Sequence, residues 1–308
     1  MPLELSVIIP IYNEVENIPT LFNRLNDVCS GLVSDYELIF VNDGSKDGSL
    51  ALVKELADQH NCIKYIDFSR NFGHQIAVTA GLEKANGQAV VIIDADLQDP
   101  PELIIDMYQK MQTGYQVVYA KRKERKGESA FKKATASIFY RFLQKITSVD
   151  IPLDTGDFRI MDRSVVDVLN QMPEKNKFIR GQVAWIGFNQ TYVEYERAER
   201  LAGETGYPLS KMLRFAMDGI TAFSDWPLRL VTWCGYLVSI FAIIMIIYTL
   251  IAHYILNNTV KGWSSILISI LFIGGIQMIA IGVIGEYLSR INTNIQNRPT
   301  YIIKESNL

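Results

Sequence analysis

The chain has 308 residues but only three cysteines, Cys29, Cys62 and Cys234, which lie far apart in the sequence. This number and spacing predict neither a disulfide framework nor a structural zinc site. A strong excess of positive charge is also missing, because 30 Lys and Arg face 33 Asp and Glu for a net charge of −3. General nucleic-acid-binding proteins carry a basic surface, so we expect no nucleic-acid partner.

The glycine-rich loops that hold nucleotide phosphates are absent as well. The stretch "IPIYNEVEN" after the first predicted strand contains no G-x-G-x-x-G, and no G-x-x-x-x-G-K-[ST] occurs in the chain. The backbone amides of such a loop therefore cannot form a phosphate site here. If the protein binds phosphates, a cation must hold them. The opening residues "MPLELSVIIPIYNE" lack a basic region and enter a strand pattern directly, which predicts no cleaved signal peptide.

Charged residues are missing from two long segments near the C-terminus. Residues 230–260 and residues 262–285 contain no Asp, Glu, Lys or Arg. Each segment exceeds the roughly 20 apolar residues that cross a bilayer core. Two buried helices of a soluble protein are the alternative, but neither segment has the polar stripe of a helix with a solvent-facing side. We predict transmembrane helices over 228–256 and 264–288.

Basic residues are distributed unequally around these two segments. Lys211, Arg214 and Arg229 come before the first, and three more follow the second, whereas the connection between them contains only Lys261. Positive residues favour the cytoplasmic side, which predicts a multi-pass plasma-membrane protein with its main domain and both termini in the cytoplasm. Segment 205–227 mixes basic and apolar residues as a helix on the bilayer surface does, a helix packed on a soluble domain being the alternative. We expect residues 289–308 to form a cytoplasmic tail.

Short aliphatic runs alternate with helical patterns over the first 120 residues. The runs "LSVIIPIY", "YELIFVND", "IKYIDFS", "AVVIIDAD" and "YQVVYAK" predict strands. The alternation indicates an α/β domain, over 1–204, with a mostly parallel sheet covered by helices on both faces. Ligands of such sheets bind at the carboxyl ends of the strands, so 12–14, 42–45 and 94–98 are expected around one crevice.

The stretch "VVIIDADLQDPPE" places Asp94, Asp96 and Asp99 within six residues of each other, directly after a hydrophobic run. Carboxylates this close repel each other and are costly to bury unless a cation meets them. A divalent ion held by carboxylates and substrate phosphates would satisfy them. We expect Asp96 and Gln98 to face this ion, and Asp94 to lie near a nucleotide sugar or the same ion. A D-x-D pair on a solvated loop is the alternative.

The character of the sequence changes after residue 121. The basic stretch "KRKERKGESAFKKATASIFYRF" is either a solvated helix face or a binding surface for phosphate and anionic lipid. The stretch "LDTGDFR" then places Asp154 and Asp157 around a glycine, ahead of a helical pattern. Asp157 is interpreted either as a turn or helix-entry residue or as a functional carboxylate.

Six motifs occur in a characteristic order, "IPIYNE", "VNDGSKDGS", "RNFGHQIAVTAGLEKANG", "DADLQDPPE", "DTGDFRIMDR" and "ERLAGETGYPLSKM". With the two apolar segments that follow, the chain resembles the polyprenyl-phosphate glycosyltransferases of family 2, which include dolichol-phosphate mannose synthase and the bacterial GtrB type. The resemblance covers essentially the whole chain. It implies a GT-A fold, a Rossmann-like mixed and mostly parallel sheet, followed by an interface helix and two transmembrane helices.

The resemblance also implies donor-site residues. The nucleotide would be held by Pro10, Tyr12, Glu14, Asp43 and Asp94. A divalent Mg2+ or Mn2+ ion would be bound by Asp94, Asp96 and Gln98.

Further roles follow from the same resemblance. Arg122 would contact the donor phosphates, Asp157 matches the second aspartate that is essential in the family, and Arg200 belongs to a loop that closes on the substrates. The lipid phosphate would be contacted at Lys132, Lys133 and Ser137. Gly206 stands where many relatives carry Lys, and Lys211 is the natural substitute.

The implied reaction is an inverting, metal-dependent transfer of a hexose, best glucose from UDP-glucose, to undecaprenyl phosphate. Asp157, Asp96 and Arg122 would carry the catalysis. The acceptor phosphate has a second pKa of about 6, so it is already anionic near neutral pH and needs no strong base. Other sugars remain open as alternatives, namely an N-acetylhexosamine, mannose or aminoarabinose.

Two other functional classes compete with this interpretation. A processive polysaccharide synthase would carry a Q-x-x-R-W motif, which the chain lacks. A non-catalytic membrane partner would need the acids at the strand ends only for folding. The tail segment "RPTYIIKE" predicts a strand over Tyr301 to Ile303 that pairs with a cytoplasmic domain, in its own or a neighbouring subunit, and a homo-oligomer such as a tetramer.

Overall fold

The computed structural model describes residues 3–123, 155–196, 226–254 and 262–308. The strands are β1 (Leu5–Ile11), β2 (Tyr36–Asn42), β3 (Ile63–Phe68), β4 (Ala89–Ile92), β5 (Val117–Arg122), β6 (Thr155–Asp162), β7 (Gln190–Tyr195) and β8 (Ile303–Ser306). The helices are α1 (Ile18–Leu32), α2 (Ser49–Gln59), α3 (His74–Lys84), α4 (Leu103–Met111), α5 (Arg163–Gln171), α6 (Ile179–Ile186), α7 (Trp226–Tyr254) and α8 (Trp263–Ile295). The five strands predicted from the aliphatic runs are all confirmed.

The strands form one mixed sheet in the order β7-β5-β6-β4-β1-β2-β3-β8. Neighbours β4, β1, β2 and β3 are parallel, as are β5 and β7, whereas β6 and β8 run antiparallel to their neighbours. The α/β prediction with a mostly parallel sheet is therefore confirmed. The parallel arrangement brings the carboxyl ends of β1, β2 and β4 to the same edge.

The central strands are hydrophobic on both faces because helices cover both sides of the sheet. Every residue of β1 and β4 is buried. On one face the alternate side chains of β1 pack with Leu21 and Leu25 of α1 and with Ile104 of α4. On the other face Ile8 packs with α3, where Gly81 leaves no room for a Cβ, which would lie 2.3 Å from the Ile8 side chain.

Strand β6 places Asp157 beside the end of β4. Arg159 of β6 is paired with Ile92 of β4, and the two strands are antiparallel. In an antiparallel pair, a step toward the N-terminus on one strand matches a step toward the C-terminus on the other. Asp157, two residues before Arg159, therefore lies next to Asp94, two residues after Ile92. The interpretation of Asp157 as a turn or helix-entry residue was wrong, because it is a buried strand residue. Asp162 is the N-cap of helix α5 instead, and its side chain accepts a hydrogen bond from the backbone N–H of Ser164.

The tail forms a strand, but the strand begins two residues and ends three residues later than predicted. Strand β8 covers Ile303–Ser306 instead of Tyr301 to Ile303, and it pairs antiparallel with β3 of the same chain. Residues 298–308 thus belong to the same compact unit as the sheet. Residues 301–302 precede the strand, where they contact the end of β3 with side-chain and carbonyl groups.

Helices α7 and α8 belong to a second unit. Both predicted apolar segments are helical within the described residues, over Trp226–Tyr254 and Trp263–Ile295. Of the described helices, one is long and apolar enough to cross a membrane, at Phe272–Ile295 within α8. The predicted helices at 228–256 and 264–288 are thus confirmed as helices. That both of them cross a membrane is not confirmed.

Several predicted features lie outside the described residues. They are the basic stretch with Lys132, Lys133 and Ser137, the loop residues Arg200, Gly206 and Lys211, and Asp154. The amphipathic segment 205–227 also lies outside, except for its last two residues, which begin α7.

Candidate active site

The loops that follow β1 and β2 are joined by hydrogen bonds. The backbone N–H of Asn13 donates to Oγ of Ser45 at 3.0 Å, and the backbone N–H of Lys46 donates to Oδ1 of Asn13 at 2.8 Å. Asn13 has a positive φ of 58°, a left-handed conformation that Asn tolerates better than most residues. The two loops therefore lie next to each other at the edge of the sheet, as predicted.

The predicted nucleotide residues of β1 and its loop differ in exposure. Pro10 is buried within β1, whereas Tyr12 is 46% exposed directly after the strand. The side chain of Glu14 accepts a hydrogen bond from Nδ2 of Asn17 at 2.6 Å, and this ties it to the start of α1. Of these three residues, Tyr12 is the most exposed, and its ring is accessible to a ligand.

Asp43, at the end of β2, holds the loop that leads into α3. Its Oδ1 accepts from the backbone N–H of Phe72 at 2.6 Å and its Oδ2 from that of Gly73 at 2.9 Å. Burial raises the pKa of Asp43, and these two N–H groups oppose the rise without cancelling it. Gly44 follows with a positive φ of 71°, and a Cβ there would lie 2.7 Å from the backbone of Arg70, so the two loops are in close contact.

His74 begins α3 and lies between two carboxylates. Its Nε2 is 3.1 Å from Oδ2 of Asp157 and 3.5 Å from Oδ1 of Asp94. Desolvation lowers the pKa of His74, but the hydrogen bond to Asp157 and the charges of both aspartates outweigh it and raise the pKa to about 9. An imidazolium therefore joins the ends of β4 and β6 at neutral pH.

Asp157 is surrounded by donors. Oδ2 also accepts from Nε2 of Gln75 at 3.0 Å, and Oδ1 accepts from Nε of Arg180 in α6 at 2.7 Å. The guanidinium of the buried Arg159 is 3.8 Å from Oδ1. Burial raises the pKa of Asp157, but the charge of Arg180 and the bond to His74 outweigh it and hold the pKa well below its usual range. The carboxylate is thus ionised, oriented and a weak base.

Asp94 has the opposite environment. Its Oδ1 is buried and accepts no hydrogen bond from the described residues. Burial raises the pKa of Asp94 to about 6, and the charges of Asp157, Asp99 and Asp96 add to the rise while His74 lowers it. This oxygen lies among other carboxylates, with Nε2 of His74 3.5 Å away and no hydrogen bond between the two, and such a group of acids is where a further cation would be stabilised.

A tight turn follows Asp94 and contains Asp96. Leu97 has a positive φ of 58°, an unusual conformation for a non-glycine residue, and Oδ1 of Asp96 accepts from the backbone N–H of Gln98 at 3.1 Å. Within residues 3–123, 155–196, 226–254 and 262–308 no group of three or more His, Cys, Asp or Glu could hold a metal ion. Magnesium commonly uses one or two carboxylates together with substrate phosphates, so the donor set of Asp94 and Asp96 fits such an ion.

A second cluster lies at the end of β5. The hydroxyl of Tyr195 donates a short hydrogen bond to Asp99 and accepts one from Nε of Arg122 at 3.2 Å. Nη2 of Arg122 is 3.9 Å from Oδ1 of Asp99, which is fully buried. Burial and the charge of Asp99 raise the pKa of Tyr195, so its hydroxyl stays protonated. Gly156 permits this packing, since a Cβ there would lie 3.1 Å from Nη2 of Arg122.

The structure brings several of the predicted site residues together. Asp157 lies close to Asp94, Asp96 is on the same turn as Asp94, and Arg122 is attached to that turn through Asp99. Several polar residues of the two clusters were missed, namely His74, Gln75, Arg159, Arg180 and Tyr195, whereas Asp99 was noted only as a member of the acid cluster. The motif "RNFGHQ" offered a signal for His74 and Gln75, whereas no sequence signal pointed to Arg180, which reaches Asp157 from α6.

Comparison with protein families gives two matches along the chain. Residues 6–169 match the model of glycosyl transferase family 2. Residues 226–291 match the model of the GtrB C-terminal hairpin.

Curated proteins match over nearly the full length. An uncharacterized glycosyltransferase of Bacillus subtilis, YkcC, is 51% identical over 304 residues, which are 99% of this chain and 94% of that protein. The SfII prophage-derived bactoprenol glucosyl transferase of Shigella flexneri is 40% identical over 304 residues, 99% of this chain and 98% of that protein. Among solved structures, glucosyl-3-phosphoglycerate synthase of Mycobacterium tuberculosis, in complex with Mn2+, UDP-glucose and phosphoglyceric acid, has a TM-score of 0.48 and 20% identity over 76% of this chain and 80% of that one.

Proposed function

Because the chain belongs to glycosyl transferase family 2 and is a glycosyltransferase, we propose that it transfers glucose from UDP-glucose to a polyprenyl phosphate at the cytoplasmic face of the plasma membrane. One observation carries this proposal. Bactoprenol, a polyprenol, is the acceptor named for the Shigella flexneri relative, and that relative matches 99% of this chain, including the C-terminal hairpin region. A similarity limited to the sheet domain would leave the acceptor open.

The donor site is proposed at the carboxyl ends of β1, β2 and β4. Tyr12 and Asp43 would hold the nucleotide, with Pro10 and Glu14 shaping the same loop. Asp94 and Asp96, with Gln98, would hold a Mg2+ or Mn2+ ion. The buried Oδ1 of Asp94 accepts no hydrogen bond from the described residues, and it would be shared between the ion and the imidazolium of His74, which lies 3.5 Å away. Such an ion, when bound, neutralises the charge of the diphosphate as it leaves.

The acceptor phosphate needs little activation, since its second pKa of about 6 makes it a dianion near neutral pH. The low pKa of Asp157 argues for the same conclusion, because a carboxylate that holds its proton so weakly is a poor general base. We assign Asp157 the task of fixing His74 and Arg180 in place. With Asp157 ionised, these two cationic side chains keep a stable position beside the reacting groups, as preorganised electrostatic stabilisation requires.

Arg122 is proposed to stabilise the departing diphosphate. Its side chain is 17% exposed, and its guanidinium is oriented by Tyr195 and by Asp99, which lies on the same loop as Asp94 and Asp96. Any movement of that loop therefore changes the position of Arg122. The displacement is proposed to proceed with inversion at C1, since one in-line attack by the phosphate replaces the diphosphate directly.

Helices α7 and α8 are proposed to cross the membrane as a hairpin with both ends in the cytoplasm. Their large apolar side chains are exposed, for example Trp233 at 67%, Leu237 at 66% and Met278 at 69%. Exposed apolar surface of this extent is stable in lipid and costly in water. The lipid phosphate would be contacted from the basic segment with Lys132, Lys133 and Ser137, and from Arg200 and Lys211. We also propose that the protein is a homo-oligomer.

The test uses the full-length protein in detergent or nanodiscs with undecaprenyl phosphate and a panel of radiolabelled nucleotide sugars. We expect a labelled lipid product with UDP-glucose at a rate at least about tenfold above that with UDP-N-acetylglucosamine, GDP-mannose or an aminoarabinose donor, a preference of about 1.4 kcal/mol. Transfer of another sugar in preference to glucose would refute the assigned donor. A water-soluble polymer product would instead identify a processive synthase.

A further inference from the structure

The C-terminal tail lies along the outer edge of β3 and makes two separate sets of contacts. One set lies along the middle of the strand. Glu305 accepts from Nζ of Lys54 at 2.5 Å and from the hydroxyl of Tyr65 at 3.1 Å. Asn307 pairs its side chain with the backbone of Tyr65 and of Ile63. These contacts attach the tail to the sheet without reaching the strand ends where the site lies.

The other set is at the carboxyl end of β3. The ring of Tyr301 stacks on Phe68, the last residue of the strand, with ring centroids 5.0 Å apart and an interplanar angle of 23°. The carbonyl of Ile302 accepts from the backbone N–H of Ser69 at 3.0 Å. The hydroxyl of Tyr301 donates to Oε2 of Glu83 at 2.5 Å, near the end of α3. The tail therefore contacts both the strand before the loop 69–73 and the helix after it.

The loop 69–73 leads from these contacts to the acid cluster. Phe68 is buried and touches Phe72 edge-to-face, with centroids 5.6 Å apart. The backbone of Phe72 and Gly73 is held by Asp43, and His74 follows directly at the start of α3. Three aromatic rings, Tyr301, Phe68 and Phe72, thus stand in a row that ends two residues before His74.

We propose that Tyr301 is a positioning residue, which fixes the loop 69–73 and the first turn of α3 so that His74 and Gln75 meet Asp157. This inference rests on the proposed use of that cluster in sugar transfer. Aromatic pairs resist sliding because they pack over a large area, and the hydrogen bond to Glu83 fixes the rotation of the ring. Burial and the bond to Glu83 both raise the pKa of Tyr301, so the hydroxyl remains a donor at physiological pH.

The structure offers a matched control within the same tail. Glu305 makes one side-chain contact with Lys54 of α2 and one with Tyr65 of β3, and neither involves Phe68, the loop 69–73 or α3. Glu305→Gln therefore weakens the attachment of the tail and leaves the row of aromatic rings in place. Tyr301→Phe removes only the hydroxyl, whereas Tyr301→Ala removes the ring as well.

The experiment compares these three variants as full-length protein in nanodiscs. We expect Tyr301→Ala to lower kcat for glucosyl transfer about tenfold or more, as misplacement of reacting groups does, with KM for the donor changed less. Tyr301→Phe should lie between Tyr301→Ala and the wild type. Glu305→Gln should keep kcat within about twofold, well under the tenfold step that 1.4 kcal/mol represents.

Hydrogen exchange gives a readout that does not depend on turnover. In Tyr301→Ala the amides of residues 69–76 should exchange faster, while those of β1 and β4 keep their protection. Unchanged exchange at 69–76, or equal losses of kcat in Tyr301→Ala and Glu305→Gln, would overturn the inference. A wild-type protein without glucosyl transfer would contradict the proposed function instead, and the exchange of residues 69–76 would still decide the role of Tyr301.

Discussion

Nε of Arg180 lies 2.7 Å from Oδ1 of Asp157, although Asp157 belongs to the sheet and Arg180 to helix α6. This contact joins two elements at the position where β6 passes the end of β4. The carboxylate of Asp157 therefore has two roles. It attaches helix α6 to the sheet, and its charge fixes the guanidinium of Arg180 beside the acids that follow β4. Substitution can separate these two roles.

Asp157→Asn should give a folded protein that hardly transfers sugar. The amide keeps the shape of the side chain but loses the charge that orients Arg180 and His74, so we expect turnover to fall about 100-fold or more. The free energy of unfolding should fall by about 1–3 kcal/mol, as when hydrogen bonds to a charged group are weakened. Turnover, chemical denaturation and binding of UDP by calorimetry would be measured together, with UDP affinity nearly unchanged.

Asp162→Asn is the matched control for this variant. Asp162 lies on the same strand but caps α5, and Asn caps helices about as well as Asp, so both turnover and stability should be close to wild type. If Asp157→Asn kept more than about a tenth of the wild-type turnover, a loss of under 1.4 kcal/mol, the proposed role of its charge in fixing His74 and Arg180 would be excluded.

The metal site is tested by removal of the ion and of one ligand. Excess EDTA should abolish transfer, and added Mg2+ or Mn2+ should restore it, because the diphosphate otherwise leaves uncompensated. Asp96→Asn should lower transfer about 100-fold and weaken Mn2+ binding in the presence of UDP, measured by electron paramagnetic resonance. Asp106→Asn, an exposed change on α4, should do neither. Full activity in excess EDTA would rule out the ion.

Tyr195→Phe isolates the second cluster. Without the hydroxyl, Asp99 loses a buried donor and Arg122 loses an orienting partner. We expect the free energy of unfolding to fall by about 1–3 kcal/mol and kcat to fall about tenfold. Tyr192→Phe, on the same strand and 39% exposed, provides the comparison and should change neither quantity. Equal effects of the two substitutions would show that Arg122 is positioned without Tyr195.

Topology can be read from thiol labelling in intact cells. In a background without Cys62 and Cys234, a cysteine introduced at Asn258 should react with an impermeant maleimide, whereas one at Leu308 should react only after permeabilisation. The bias of Lys and Arg around the apolar segments is the physical reason. Leu308 is preferable to Asn307 for this purpose, since the side chain of Asn307 bonds to β3. The reverse labelling would contradict the proposed hairpin.

Local patterns were enough to predict five of the eight strands. Continuous aliphatic runs located β1 to β5, because strands buried on both faces admit few polar side chains, although the run for β4 extends past the end of that strand at Ile92. The acids at the end of β4 were also predictable, since strand ends of parallel sheets converge. The antiparallel pairing of β6 with β4 was not, and for that reason the sequence alone left open whether Asp157 lies in a turn or is a functional carboxylate, and did not place it beside Asp94.

Contacts between distant elements account for what was missed. Arg180 lies in a short helix whose sequence "IRGQVAWI" shows no special pattern, and its role depends on how α6 packs over β6. His74 and Tyr195 likewise act through partners 83 and 96 residues away. The tail strand was expected from its β-branched residues, but its register on β3 is determined by side chains such as Asn307 and Glu305.

Strand β8 also has a consequence for biosynthesis. It covers the edge of β3, and the contact of Tyr65 with Glu305 joins residues 240 positions apart. While the chain is being translated, β3 therefore remains an open edge until residues 303–306 leave the ribosome, after both apolar helices have been made. Open edges pair readily with other chains, and contacts of such long sequence separation form slowly. The nascent domain thus passes through an aggregation-prone interval that ends when residues 303–306 dock.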